Sequence, residues 1–520
     1  MSTAVGIDLG TTFSVVARVN GAGIPEVLPN AEGSPTTPSV VLFDRGSVVV
    51  GAVAKEALAV DPENVVQLVK RHMGSQWAFA NAGVQYGPEH ISALILRKLV
   101  QDATRLVGPV DQAVVTVPAY FNDAMRMATR RAAEMAGVEV LGLLSEPTAA
   151  AIAFGYDKRP EAMTGAVVDF GGGTFDITVM RFESGSLTVI GTGGDAYLGG
   201  ANIDKALFDY FVSCFAEANH IDVTDPDALS IEEFTQVSQE WLSRANRAKH
   251  DLTARDRTMV ALQAAGRSAR VEVTRDKFET LTRVLIDEMA EKIVDVLDAA
   301  GMNAKEVDTV LAVGGSTRIL AVQRRLLALF NKEPDTSVRP DEAVAQGAAL
   351  FAARRQLEQG QALMLAPDAR QYLESFTVTD VASHSLGVSV YDKPRDQGGH
   401  PTVSVVLGRN TPLPCEGSRT FYTMRANERQ VIVPIIEGED PDPALCTRIG
   451  EVAVTDLPAS RPAEQPIKVT MHYNRDGILE VTAFDISSGQ SATATIVRDT
   501  GADPAATTAA DNAVKAAHIE

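Results

Sequence analysis

Cysteine is scarce: Cys214, Cys415 and Cys446 are the only three in 520 residues, an odd number with no C-x-x-C pair. That usage argues against a disulfide framework or a zinc site and suits a reducing compartment. Long apolar runs are missing too; none approaches the roughly eighteen residues of a membrane helix. Basic charge is in deficit, with 47 Lys and Arg against 67 Asp and Glu and a formal net charge of -20. This argues against a nucleic-acid binder held by phosphate contacts and fits a soluble chain kept apart from its neighbours by self-repulsion. The N-terminal MSTAVGIDLG reaches Asp8 before an apolar stretch could form a signal peptide. A cytoplasmic location, with no membrane or nucleic-acid partner, is therefore expected.

At 520 residues the chain exceeds what one core supports, so at least two domains are expected. Up to about Phe351, the short apolar runs Ala4–Leu9, Ala113–Val117, Ala166–Phe170 and Thr309–Val313 each meet a Gly- or Pro-containing turn. They interleave with helical spacing over Met125–Ala136, Asp204–Ala218, Lys277–Ala300 and Ile319–Phe330, which predicts α/β layers. From about Thr377 the helical spacing gives way to β-rich segments: Ser385–Tyr391, Thr402–Leu407, Arg419–Tyr422, Gln430–Ile436, Ile467–His472 and Ile478–Ala483. Turn signals such as Asn474-Arg475-Asp476-Gly477 separate them, which predicts an antiparallel sandwich. Arg354–Asp380, polar and ending in Phe376-Thr377-Val378-Thr379-Asp380, occupies the natural linker position. After Val497 the Ala-, Thr- and Asp-rich tail lacks apolar periodicity and is expected to be disordered, with a short frayed helix over Ala509–Ala517 as the alternative.

Three Gly-rich turns follow apolar strands: Gly6-Ile7-Asp8-Leu9-Gly10-Thr11-Thr12-Phe13-Ser14, Val168-Asp169-Phe170-Gly171-Gly172-Gly173-Thr174-Phe175-Asp176 and Val313-Gly314-Gly315-Ser316-Thr317-Arg318. Glycine lets backbone N–H groups approach phosphate oxygens, and the hydroxyls add donors. An Asp at the end of each of the first two strands can hold magnesium through water. Each loop alone is a weak signal, and none is a Walker A or a G-x-G-x-x-G pattern. The repetition suggests a duplicated domain with a nucleotide between its halves.

Together these loops resemble the actin, hexokinase and Hsp70 ATPase fold, and further wording points to Hsp70. Val117-Pro118-Ala119-Tyr120-Phe121-Asn122-Asp123, Glu146-Pro147-Thr148-Ala149-Ala150-Ala151, Gly194-Asp195 with Leu198-Gly199-Gly200, and Pro340-Asp341-Glu342-Ala343-Val344-Ala345 are similar to that family's motifs and stand in its order. The resemblance runs from about residue 4 to about residue 498. It implies an actin-like (ribonuclease H-like, duplicated) ATPase domain over 1–372, an interdomain linker over 373–380, a β-sandwich peptide-binding domain over 381–498 and a disordered tail over 499–520 without the family's helical lid.

The same resemblance implies residue roles. Gly10, Thr11, Thr12, Phe13, Gly171, Gly172, Gly173 and Thr174 would cradle ATP phosphates, with Gly199, Gly200, Gly314, Gly315, Ser316 and Asp341 completing the nucleotide site. Asp8 and Asp169 would bind hydrated magnesium, and potassium is a further cation it allows. Lys70 would contact the γ-phosphate and orient the attacking water; Glu146, Thr174 and Asp176 would complete the water and metal shell. Pro118 and Arg126 match the family's proline switch and relay arginine. Glu146 precedes a proline, which favours an extended conformation away from a helix.

Several positions depart from the pattern. In Asn246–Thr253, Asn246 replaces a Glu, Lys249 remains, His250 takes the stacking position and Thr253 replaces a Ser. Arg318 could still stack on the other adenine face. Losing a carboxylate for the ribose hydroxyls should weaken nucleotide binding by about 1–2 kcal/mol, so Asn246→Glu is expected to tighten it. Threonines replace the leucines of the family's linker, and each missing buried CH₂ equivalent removes roughly 0.8 kcal/mol of docking. Gly142 stands where the family has a basic residue that receives J-domain partners, which puts dependence on a J-domain protein or a nucleotide exchange factor in doubt.

In the sandwich, Val388, Phe421, Met424, Val431, Val433, Ile435 and Ile478 fall where the family lines its groove for unfolded or extended polypeptides. Alternation puts Val431, Val433 and Ile435 on one face, and an ordinary sandwich core explains most of these residues as well. Val431 aligns with the family's central pocket. Pro434 within that strand signals an edge or a bulge. Three readings follow: an ATPase chaperone that binds extended apolar peptide, an actin-fold metabolite kinase, and a nucleotide-dependent scaffold with weak ATPase.

Overall fold

A computed structural model of the chain describes residues 3–158, 161–183, 185–335, 337, 339–393, 398–495 and 504–520. Two sheets of one plan organise the N-terminal part. In the first, Thr3–Asp8 pairs parallel with Val110–Val117 and antiparallel with Phe13–Val19, which pairs antiparallel with Pro25–Leu28. In the second, Ala162–Phe170 pairs parallel with Thr309–Val313 and antiparallel with Phe175–Glu183, which pairs antiparallel with Ser186–Asp195. Each leading strand carries its Asp into the following turn, Asp8 in one lobe and Asp169 in the other. The parallel strands are covered on both faces, so Ala113–Val115 and Ala166–Val168 are wholly buried and read as unbroken apolar runs.

The lobes meet where the helices Glu146–Lys158 and Ala343–Glu358 cross. A Cβ on Gly347 would stand 1.7 Å from the Ala149 carbonyl oxygen, and one on Gly6 would stand 2.0 Å from the Ala349 nitrogen. Only glycine allows backbone to pass that close. Glu146 is the first residue of its helix rather than an extended residue. Pro147 occupies the first turn, where its missing N–H would have had no intrahelical partner, so the local rule against helix before proline yields.

The C-terminal part is a sandwich of two four-stranded sheets. One holds Leu386–Tyr391, Pro401–Leu407, Val431–Glu437 and Thr447–Val454; the other holds Cys415–Tyr422, Pro466–Tyr473, Leu479–Asp485 and Ser491–Thr495. Pro434 lies beside a register shift at Ile435/Ile436, and its neighbour strand Leu386–Tyr391 pairs only from Ile435 onward. The missing N–H thus falls where the ladder is open on that side.

The stretch 373–380 is not a free linker. Leu373 and Phe376 are buried in the core shared by the lobes, and Thr377–Thr379 adds a parallel strand beside Ser186–Thr188. Backbone hydrogen bonds dock this segment, so threonine side chains cost less than an apolar docking mode would imply. The sandwich is packed on the lobes. Leu479 N–H donates to Asp123 Oδ1 at 2.9 Å, Arg130 Nη2 lies 2.6 Å from Asp476 Oδ2, and Arg126 Nη1 donates to the Asp476 carbonyl at 3.3 Å. Asp476 overhangs Gly142, where a Cβ would lie 3.3 Å from its Oδ1.

The expectation of a disordered tail over 499–520 is overturned within the described residues; 496–503 lie outside them. Pro504–Ala516 is a helix, with Ala510, Val514 and Ile519 buried against the first lobe. Asp511 accepts from Arg131 Nη2 at 3.1 Å and stands 3.0 Å from His90 Nε2. Since His90 Nδ1 accepts the Gly87 N–H at 3.0 Å, Nε2 is the donor to Asp511. Arg97 caps the helix by donating to the Val514 and Ala517 carbonyls. Beyond it the chain pairs with Ser47–Val50: Val48 N–H donates to His518 O at 3.0 Å and Glu520 N–H to Val48 O at 2.9 Å. Three apolar residues on another domain's surface are too few to register as periodicity.

Removing residues 504–520 should unprotect the Val48 and Val50 amides in hydrogen exchange and lower the stability of the first lobe by several kcal/mol, given about 1.5–3 kcal/mol for each fully buried aliphatic side chain. Unchanged protection of Val48 would contradict this packing.

Docking should also respond to pH through Asp123. Burial pushes its pKa up to about 7, Glu437 adds to the rise, and the Leu479 N–H and Arg126 oppose it. The docked chain therefore holds a proton that a free carboxyl releases, so docking is unpenalised below the ordinary carboxylate range and weakens as pH rises to about 7. Asp123→Asn should flatten that dependence while still accepting from Leu479; small-angle scattering of both proteins between pH 5 and 8 reads the difference, and parallel curves would contradict it.

Candidate functional site

The glycine turns of the two lobes face each other. A Cβ on Gly172 would fall 2.0 Å from Thr12 Oγ1, and one on Gly173 would fall 2.3 Å from Thr11 Cγ2. Around this cradle the second lobe is tightly knit: Gly171 N–H donates to Thr174 O at 3.0 Å, Gly200 N–H to Gly171 O at 3.0 Å, and Ser316 Oγ to Gly171 O at 2.8 Å. Gly314, at φ 80°, passes so near Phe170 that a Cβ would stand 2.6 Å from its carbonyl oxygen. Gly199 closes on Gly173, and Gly315 remains exposed.

Beneath the cradle lie Asp8, Glu146, Asp169 and Asp176 with one cation, Lys70, which is buried and ion-paired to Glu146. Lys70 stands in a short 3-10 turn, Val69–His72. Burial pushes Asp8 up to about 7, with Glu146 adding to it. Burial, then repulsion from Glu146, also raises Asp169 and Asp176 well above the carboxylate range. Asp176 Oδ1 accepts the Ala119 N–H at 2.7 Å, while its buried Oδ2 has no partner among the described residues. Four carboxyl groups crowded around one ammonium fit an added cation, which would favour their ionised forms. Among the described residues no group of three or more His, Cys, Asp or Glu side chains is placed to ligate a bare metal. The all-carboxylate donor set and the orphaned Asp176 Oδ2 are chemically compatible with a hydrated magnesium held through its waters.

The remaining residues named from the resemblance are spread along the cleft. Lys249 is buried, and its Nζ donates to Gly200 O at 3.3 Å. His250 is exposed, Thr253 Oγ1 donates to His250 O at 2.7 Å, and exposed Arg318 pairs with Asp341. Phe13 is 42% exposed with Lys55 Nζ 4.7 Å above its ring. In the sandwich, Val388 and Val433 are buried in its core, Phe421 and Val431 are half-buried beside it, and Met424 is 41% exposed. Ile478 lies in the turn next to Leu479, at the docking surface.

Two site residues escaped the sequence reading. Arg71 donates from Nε and Nη2 to Gly173 O at 2.9 and 2.6 Å and from Nη2 to Asn202 Oδ1 at 2.7 Å, tying the first lobe to the second lobe's phosphate loop. Its position next to Lys70 was the available signal. Asp204, one helical turn past Gly200, lies against Lys249 and Asn246.

The two lobes thus bring their glycine turns together over buried carboxyl groups and one buried lysine. The Hsp70 protein family model matches residues 4–85 and 78–518. The chain belongs to the Hsp70 family, a family of chaperone-type ATPases. No helix among the described residues is long and apolar enough to cross a membrane.

Proposed function

We propose that the chain is an Hsp70-type chaperone that binds ATP with magnesium between the lobes of an actin-like duplicated domain, hydrolyses it slowly, and binds extended apolar segments of unfolded proteins. The observation that carries this reading is the buried Lys70–Glu146 pair beside Asp8, Asp169 and Asp176, directly under the glycine cradle. Gly10–Phe13 and Gly171–Thr174 hold the phosphates by backbone N–H and hydroxyl donors. Asp8 and Asp169 hold the hydrated magnesium, which neutralises phosphate charge when bound. Lys70 balances charge at the terminal phosphate, while Glu146 and Asp176 orient water by accepting its protons. Catalysis of this kind rests on positioning and charge rather than on a covalent intermediate. Val431, with Phe421 and Met424 near it, supplies apolar surface for a peptide that binds through its backbone.

Lys70→Ala and Glu146→Ala should lower single-turnover hydrolysis by at least about a hundredfold, the usual scale for an electrostatic donor, while magnesium-dependent nucleotide binding persists. Hydrolysis at the parent rate in either variant would remove the assignment. Hydrolysis unaffected by added apolar peptide would support a scaffold with weak ATPase instead. Val431→Phe should abolish binding of a labelled Leu-rich peptide, measured by fluorescence anisotropy, since one filled pocket is worth roughly 1.5–3 kcal/mol; undiminished binding would displace the groove from Val431.

A further inference from the structure

Asn246 stands where the resemblance places a ribose-binding carboxylate, yet the structure does not leave that corner of the cleft without one. Asp204, one turn into the helix Gly200–Asn219, accepts from Asn246 Nδ2 through Oδ2 at 3.0 Å. Its Oδ1 lies 2.9 Å from Lys249 Nζ, and both side chains are largely buried, 14% and 10% exposed. That ammonium neutralises the carboxylate, yet buried Oδ1 has no hydrogen-bond partner among the described residues. The cluster adjoins the phosphate loops: a Cβ on Gly200 would lie 3.1 Å from Lys249 Nζ and 2.9 Å from Ser316 Oγ. Lys55 of the first lobe lies within electrostatic reach of both Asp204 and Lys249.

We propose that Asp204 is the carboxylate that reads the ribose hydroxyls of the bound nucleotide, held in place by Asn246 and Lys249. This rests on the nucleotide reading of the cleft given above. A carboxylate whose charge is already balanced does not call for another cation; its free lone pair suits a neutral O–H donor, in a charge-assisted bond. A nucleotide lacking those hydroxyls would leave Oδ1 buried and unpaired, which is a strong basis for discrimination. Asn246 is a positioning residue here, donating the bond that orients Asp204. A Glu at 246 would set a second carboxylate against Asp204, so Asn246→Glu should weaken ATP binding, the reverse of what the sequence alone suggests.

Calorimetric titration of the full chain with Mg-ATP and with Mg-2′,3′-dideoxy-ATP tests this. The parent should prefer ATP by at least about tenfold, the scale of one hydrogen bond to a charged group. Asp204→Asn should cut that preference to under about threefold, with affinity for the dideoxy nucleotide nearly unchanged. A merely structural role would weaken both nucleotides alike. Asn246→Glu should bind ATP at least about threefold more weakly than the parent, by carboxylate repulsion. The proposal is overturned if Asp204→Asn keeps the parent's preference, if it loses both nucleotides equally, or if Asn246→Glu tightens ATP. Failure of the parent to bind ATP at all would sink the nucleotide reading as well, whereas ATP binding with an unchanged preference sinks Asp204 alone.

Discussion

Among the described residues, four carboxyl groups share the floor of the cleft with a single lysine, and much of the N-terminal architecture follows from how that imbalance is held. Like charges packed this closely raise one another's pKa, as burial does, and they would push the lobes apart without a compensating cation. The protein supplies one cation internally, Lys70, and secures the surrounding backbone by close glycine contacts that no larger residue would permit. Arg71, the next residue, ties the same segment to the opposite phosphate loop. The electrostatic centre and the closure of the cleft therefore depend on one short 3-10 turn, Val69–His72.

The sandwich and the tail extend that arrangement outward. Arg126, Arg130 and Asp123 all lie on the helix Asp123–Met135, which follows the strand Val110–Val117 and the Pro118 turn, and all three engage the turn around Asp476 to Leu479. The loop leading into that helix gives its Ala119 N–H to Asp176. Asp176 is thus linked to the docked sandwich through one hydrogen bond, the short segment from Ala119 to Asp123, and the contacts of that helix. The Thr377–Thr379 strand supplies a second path, through the edge of the sheet that carries Asp169 and Asp176. Arg131 of the same helix holds Asp511 of the C-terminal helix, so the tail reports on that element too.

Much of the fold was legible because parallel strands buried on both faces must be apolar throughout. Thr309–Val313 matched its expected span, and Ala166–Phe170 fell inside the longer strand Ala162–Phe170. The strands Thr447–Val454 and Ser491–Thr495 were not anticipated, because their half-polar patterns resemble loop sequence. Glu146 was misjudged because the rule for residues before proline weighs one steric contact, whereas a helix start has other reasons to accept proline at its second position. The tail was misjudged because its apolar residues are buried by the first lobe, and nothing in the local pattern registers a surface more than four hundred positions away.

By itself the sequence determined where the backbone must turn tightly and where it must be buried, since glycine turns, apolar runs and motif order are local properties of the chain. Many of the strands, the loops that meet in the cleft and membership of the family were thereby legible. Tertiary structure alone decided which side chains complete one another. Asp204 approaches Asn246 across 42 positions, Arg71 reaches Gly173 across 102, and Asp511 reaches His90 across 421. Those pairings depend on how helices and lobes are set against each other, and that is governed by packing of the whole molecule rather than by any stretch of its sequence.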